Sequence, residues 1–453
     1  ADTLVVAISQ SGTTTDTNRT VDLVRSRGAR VIAIVNRRSS DLTDKSDGVL
    51  YTSDGRDVEM SVASTKAFYS QIAAGFLLAA AIAQEVIPGG EGAAERSALL
   101  TGLREIPAAM EATLARRPVI AEAARELCPP RRYWAIVGSG SNRIAAEEIR
   151  IKLSELCYKA IASDAIEDKK HIDLSSEPLI LVCAAGLVGS NADDVAKEVA
   201  IYRAHKATPV VIATEDEDRF SGALRVLTVP SVRHELAFVL STVVGHLFGY
   251  EAALAIDAQA LPLREARGAI EDAVSGPLGE DADRLFTTLR PVFEPIAARF
   301  NDGLRSGAYN GHLEAGTAVR LASVFRYATG VVPLDAYQVE FGRVGTPGGV
   351  IEDLTHALTG AIEELTRPVD AIKHQAKTVT VGISRSDESL LDVPLVAAAL
   401  GAGAARDRLS YKSLRTLAGL DAAVAEVVGY TRYRIEGDVE SDANIVVVDR
   451  GGI

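Results

Sequence analysis

Apolar and polar positions alternate along the first 275 residues in a pattern that occurs twice, and a longer remainder follows it. The apolar run Leu4–Ile8 reads as a strand of a parallel sheet. It is followed by the polar turn Ser9-Gln10-Ser11-Gly12-Thr13-Thr14 and by a helical pattern from about Asp16 to Arg27 that Gly28 closes. Strands are predicted at Arg30–Val35 and Gly48–Thr52, then a long apolar helix that ends near Glu85, before the breaker Pro88-Gly89-Gly90. Helical patterns run from about Ala94 to Leu127 and stop at Pro129-Pro130. The order then repeats: a strand at Tyr133–Val137, the turn Gly138-Ser139-Gly140-Ser141, a helix through Tyr158, and strands at Leu179–Ala184 and Pro209–Ala213.

Such alternation predicts an α/β protein of two tandem three-layer α/β/α domains with parallel sheets. Past residue 275, helical patterns near Asp281–Phe300 and Gly349–Leu365 and strands at Thr378–Ile383 and Asn444–Val448 predict an extra α+β domain. The expected division is a first domain over 1–90, a helical connector over 91–130, a second domain over 131–275 and the extension over 276–453. Because residue 1 already lies in a strand pattern, the first domain is expected to be incomplete at its N-terminus.

A chain of 453 residues is long enough for about three cores. Its formal net charge of −13 argues against a nucleic-acid or anionic membrane surface, both of which need clustered Lys and Arg. Three cysteines, Cys128, Cys157 and Cys183, give no disulfide framework and point to a reducing cytoplasm. The most apolar stretch, Ile72–Val86, carries Gln84 and Glu85, is expected to be too short for a bilayer, and reads as a buried helix.

Candidate chemistry begins at the serine turn. The run fits either a capped turn or an anion cradle, in which first-turn N–H groups and the hydroxyls of Ser9, Ser11 and Thr14 face a phosphate. It lacks the Gly-Lys-Ser/Thr of a nucleoside-triphosphate loop and the three spaced glycines of a dinucleotide site, so a sugar phosphate fits better than a nucleotide. Ser64, Thr65 and Lys66 open a second helix with hydroxyls and a cation. Glu148, Lys152 and Glu155, four and three residues apart, share one helix face. That face is either a surface ion-pair ladder or a proton-transfer array, in which the lysine holds one carboxylate ionised while the other exchanges protons. His171 lies in the charged loop Asp168-Lys169-Lys170-His171 and can titrate near neutrality. Phe341–Gly349 reads as a turn, and Lys373, His374 and Lys377 as a solvated face.

The stretches AISQSGTTTDT, SDGVLYTSDGRDVEMSVASTKAF, AAEEIRIKLSELCY and EDKKHIDLSSEP, at intervals across residues 1 to about 270, resemble the sugar isomerase (SIS) domains of glutamine–fructose-6-phosphate aminotransferases. The resemblance implies that Ser9, Gln10, Ser11 and Thr14 hold the substrate phosphate and that Val62 and Ser64 line the sugar. It implies that Glu155 moves a proton between C1 and C2, with Glu148 and Lys152 as its neighbours. It also implies that His171 serves ring opening from the adjacent subunit of a homodimer. Fructose 6-phosphate is then the implied substrate, and ammonia arrives from a glutaminase segment absent from this chain. No metal or cofactor is needed.

Two departures stand out. Arg267 occupies the place of a lysine in the family's closing tail, and an arginine cannot form an imine. Residues 168–176 keep Lys170 and His171 but lose the family's glycines and proline. A non-catalytic sugar-phosphate sensor and a SIS-type deglycase or isomerase therefore stand as alternatives to the aminotransferase. Retention of Glu148, Lys152, Glu155 and His171 together favours an enzyme.

Overall fold

A computed structural model of the chain describes residues 3–53, 65–87, 90–172, 174–276, 281–369, 390–404, 409, 411–438 and 442–452. The chain forms two compact units, Ala1–Glu85 with Thr378–Ile453, and Val86–Lys377.

The first unit opens with β1 (Leu4–Ser9), α1 (Thr15–Ser26), β2 (Arg30–Val35), α2 (Asp41–Lys45), β3 (Gly48–Tyr51) and α3 (Thr65–Val86). The three strands pair in parallel in the order β1-β2-β3, with Val6 opposite Ile32 and Ile34 opposite Leu50. Val31, Ala33 and Val35 pack with Val21 of α1 and Leu42 of α2 into a small core. The same unit carries α15 (Pro394–Gly401), α16 (Tyr411–Asp421) and an antiparallel pair, β9 (Tyr430–Asp438) and β10 (Asp442–Gly451). The strand expected at 378–383 and the residues Lys373, His374 and Lys377 lie outside the described residues.

The second unit begins with α4 (Ala93–Leu114) and α5 (Arg117–Leu127). Five parallel strands follow: β4 (Trp134–Gly138), β5 (Ala162–Asp164), β6 (Leu179–Cys183), β7 (Thr208–Thr214) and β8 (Arg225–Val229). Their order is β5-β4-β6-β7-β8. The chain thus leaves β4 in one direction and returns on its other side, placing a topological switch at the carboxyl ends of β4 and β6. Sequence patterns missed β5 and β8, which are short or half-polar.

Helix α6 (Asn142–Cys157) covers one face of this sheet together with α9 (Ala237–Ala258), while α8 (Gly189–Ala204) covers the other with Val195, Val199 and Tyr202. The connector is not separate from this unit: α5 packs along α9, and Arg117 pairs with the buried Glu251 at 2.6 Å.

The extension continues this unit as helices. α10 (Leu261–Ser275) buries Leu263, Ala266 and Ile270 against α11 (Ala282–Ser306) and α14 (Pro347–Leu365), with α12 (Ala315–Ala328) closing the bundle. Between α13 (Tyr337–Phe341) and α14, the glycine-rich loop is a turn, with the Thr346 hydroxyl accepting from Gly349 N–H at 3.1 Å as an N-cap.

Among the described residues two helices are long and apolar enough to cross a membrane, α3 and the stretch His234–Ala258. α3 is 22 residues long, more than the Ile72–Val86 run suggested, because its pattern starts at Thr65. The His234–Ala258 helix is mostly buried and forms the core of the second unit, whereas most of α3 lies outside any core.

Lys159 fastens the extension to this core. Its ammonium donates to the carbonyls of Arg132 and Gly311 at 2.8 Å and of Arg131 at 3.2 Å, and sits 5.1 Å from the Trp134 ring centre. Burial pushes its pKa down to about 8, a cost that three carbonyl acceptors offset. Lys159→Met strands those carbonyls and is expected to destabilise the second unit by about 2–4 kcal/mol, read in a urea-unfolding transition.

Candidate functional site

In the first unit the serine turn joins the carboxyl end of β1 to the amino end of α1. Gly12 adopts φ +67°, and a Cβ there would lie 2.0 Å from the Ser40 hydroxyl oxygen, so only glycine fits. Ser9 is buried and its hydroxyl accepts from Gly12 N–H at 3.0 Å, which braces the turn from below. Asn18 of α1 donates to the Gly12 and Thr14 carbonyls at 3.1 and 3.0 Å, fixing the turn from the helix side. Above this brace, the Ser11 and Thr13 hydroxyls touch at 2.9 Å. Thr14 is the N-cap residue of α1, yet its hydroxyl caps nothing. The Gln10 side-chain oxygen is buried and has no hydrogen-bond partner among the described residues.

The turn therefore offers exposed hydroxyls and first-turn N–H groups outward, the arrangement an anion needs. Thr65 and Lys66 stand in the first turn of α3. Val62 and Ser64, expected to line the sugar, lie outside the described residues.

The corresponding turn of the second unit is closed. Ser139 donates to Glu167 at 3.0 Å and accepts from Ile166 N–H, and Asn142 is buried between the Ala185 carbonyl and the Ser241 hydroxyl. Ser139 and Asn142 of this turn are thus engaged within the fold, whereas Thr13 and Thr14 of the first turn are exposed.

Glu148, Lys152 and Glu155 do form one face of α6. Lys152 is buried between the carboxylates, 3.3 Å from Glu148 Oε1 and 4.0 Å from Glu155 Oε2. This is not a solvated ladder: the Glu148 side chain is 12% exposed and that of Lys152 9%. Glu155 is more open at 36%, yet its Oε2 is shielded from solvent and has no hydrogen-bond partner among the described residues. A shielded carboxylate oxygen beyond hydrogen-bond reach of its lysine is an acceptor without a donor.

His246 of α9 completes the group and was not foreseen. Its Nε2 lies 3.3 Å from the same Glu148 oxygen that faces Lys152. Helices α6 and α9 approach closely enough for this because Gly245 and Gly249 sit over Ile149 and Leu153, where a Cβ would lie 2.3 and 2.5 Å from their Cδ1 atoms. The Gly-x-x-x-Gly spacing of Gly245 and Gly249, with His246 the one polar residue between them, was the available signal.

Burial pushes Glu148 up, but the contacts with His246 and Lys152 outweigh it, so its pKa falls below the ordinary 4.5. Ionised Glu148 therefore stabilises the fold above that value, and the contribution is lost as pH falls through the lower folded value. Between pH 5 and pH 3 the thermal midpoint of the wild type is expected to fall further than that of Glu148→Gln. Parallel curves would contradict this.

His171 lies on the short α7 (Lys169–Ile172), exposed, and among the described residues it makes no side-chain contact with Glu148, Lys152 or Glu155. Its neighbours pin the turn: Lys170 pairs with Glu198, and the buried Lys169 lies 4.0 Å from Asp164. Arg267 stands within α10, its guanidinium 2.8 Å from Glu271. This segment is a packed helix of the bundle. Among the described residues no three His, Cys, Asp or Glu side chains gather as a metal site. All three cysteines are buried and free.

Residues 1–81 match the SIS domain family. The chain is 33% identical over 255 residues to the isomerizing glutamine–fructose-6-phosphate aminotransferase of Symbiobacterium thermophilum, and 34% identical over 259 residues to that of Streptomyces coelicolor. Each alignment covers 56% of this chain and 41% of the relative, so the chain spans about two fifths of the length of the curated relatives it matches. Among solved structures it is similar to the C-terminal domain of glucosamine-fructose-6-phosphate aminotransferase from Francisella tularensis, with a TM-score of 0.51 and 23% identity over 56% of this chain and 70% of that one. The tandem parallel-sheet architecture is thus that of SIS proteins, and the resemblance seen in the motifs extends over more than half the chain.

Proposed function

We propose that the chain is the isomerase half of a glutamine-dependent fructose-6-phosphate aminotransferase that makes glucosamine 6-phosphate. The observation that carries this reading is the shielded Glu155 Oε2, which has no hydrogen-bond partner among the described residues and lies 4.0 Å from Lys152 of a buried Lys152–Glu148–His246 group. A phosphate sensor needs the serine turn and has no use for such a group. The named activity of the relatives supports the same substrate.

In this reading the Ser9–Thr14 turn and the amino end of α1 hold the phosphate, with Gln10, Ser11 and Thr14 as donors, and Val62 and Ser64 line the sugar. His171, supplied across a homodimer interface, gives a proton to the ring oxygen as the anomeric hydroxyl loses one, and the ketose opens. Ammonia adds to the C2 carbonyl and water leaves. The Glu155 carboxylate then takes the proton from C1, and the carboxylic acid so formed returns it to C2. As C1 loses its proton the imine nitrogen takes one up and a C1–C2 enolamine forms. As C2 is protonated the C1 hydroxyl gives up its proton and becomes the aldehyde, so the proton gained at nitrogen balances the one lost from oxygen. Lys152 and Glu148 set the charge beside Glu155, and His246 fixes Glu148.

Arg267 favours a second reading, a SIS-type isomerase that does not transfer nitrogen, because a guanidinium paired with Glu271 in a packed helix offers no imine-forming amine. Fructose 6-phosphate incubated with the chain and an ammonium salt separates the two. Glucosamine 6-phosphate as product supports the first, hexose phosphate interconversion alone supports the second, and neither product contradicts both.

A further inference from the structure

Within the second unit, between the loop that enters β4 and the outer faces of α11 and α12, lies a cleft of about 940 Å³. That volume is in the range of small-molecule sites. One wall is the loop itself, with Arg131, Arg132 and Tyr133, together with the turn at 175–177. The other combines the apolar Leu304, Tyr309, Leu313, Val319 and Ala322 with the polar Asn301, Asn310, Ser323, Arg326 and Glu340.

The charges on these walls are unequally spent. Arg132 lies 3.6 Å from Glu314, and Glu177 lies 3.8 Å from Lys206. Glu340 is held by the hydroxyls of Ser323 and Tyr327, the latter at 2.7 Å, with Arg326 in electrostatic range. Arg131 and Arg326 form no ion pair with any described residue, in a chain whose net charge is −13. The loop wall is also rigid, because Lys159 grips the carbonyls of Arg131 and Arg132. Two arginines that line one cleft and form no ion pair with a described residue, Arg326 lying in electrostatic range of Glu340, together with apolar lining residues, match a ligand with one charged end and an apolar body.

We propose that this cleft binds an amphipathic organic anion, its carboxylate, sulfonate or phosphate group received by Arg131 and Arg326 and its apolar body lying on α11 and α12. The site is distinct from the serine turn and from the α6 face, and it rests on helices of the extension.

Titration of the full chain with 8-anilinonaphthalene-1-sulfonate, an aromatic sulfonate of this class, tests the proposal. The expected result is saturable binding at one site per chain that saturating fructose 6-phosphate does not displace. The Arg131→Ala/Arg326→Ala double variant is expected to bind at least about tenfold more weakly, since each charge-assisted contact is worth more than the ~1.4 kcal/mol of a tenfold change. Val319→Trp fills the cleft and is expected to abolish binding. Val319 is 69% exposed, so this replacement leaves the unfolding transition in place. The proposal is overturned by absence of saturable binding, by displacement with fructose 6-phosphate, or by unchanged affinity in the arginine double variant.

Discussion

Glu155→Gln is expected to lower sugar-phosphate turnover by about 10²–10⁴-fold while leaving the dissociation constant for fructose 6-phosphate within a factor of about two. Glutamine keeps the shape and both hydrogen-bonding ends of the side chain but cannot accept a proton from carbon. In the proposed reading the phosphate is held by the Ser9–Thr14 turn, so binding and proton transfer are carried by different residues. The substitution is also mild for the fold, since Glu155 is the most exposed of the three α6 residues and its Oε2 makes no hydrogen bond among the described residues. Turnover measured alongside calorimetric binding checks both halves. Turnover at the wild-type rate would remove Glu155 from the chemistry.

Gly12→Val is expected to weaken fructose 6-phosphate binding by roughly 100-fold, or ~2.8 kcal/mol, and to destabilise the first unit. A β-branched residue at φ +67° costs roughly 1–2 kcal/mol in backbone strain alone, and its Cβ would fall 2.0 Å from the Ser40 oxygen and 2.6 Å from Ser40 Cβ. Relief requires the turn to move away from α2, which breaks the Ser9–Gly12 brace and the 3.0 Å bond from Leu42 N–H to the Gly12 carbonyl. Thr13→Val, at an exposed position of the same turn, is the control and should bind within about threefold of wild type. Equal affinity of the two variants would show that the turn does not hold the phosphate.

Much of this was legible because period and position agree in a parallel sheet. Leu4–Ile8 and Arg30–Val35 are continuous apolar runs between turn signals, and both are strands as expected. The three α6 residues were legible from spacing alone, since i, i+4 and i+7 fall on one helix face whatever the surroundings. What spacing could not supply was burial. Whether Glu148–Lys152–Glu155 is a surface ladder or an enclosed group depends on α9, which enters the chain about 90 residues later. For the same reason His246 was invisible: its significance depends on Gly245 and Gly249 bringing two helices together.

The extension was read least well, because α12 has an irregular apolar pattern and β9 is largely polar and exposed. Its helices were expected to stand beyond the second sheet unit. They share a core with α10, whose apolar face could have closed either element.

The central claim is that Glu155 moves a proton between adjacent carbons of a ketose phosphate. Fructose 6-phosphate incubated with the full chain in D₂O, followed by proton NMR at C1, measures that step without ammonia or a glutaminase segment. The account predicts deuterium incorporation at C1 by the wild type and none above background by Glu155→Gln. No exchange by a wild-type protein that binds fructose 6-phosphate, or equal exchange by the variant, would contradict it.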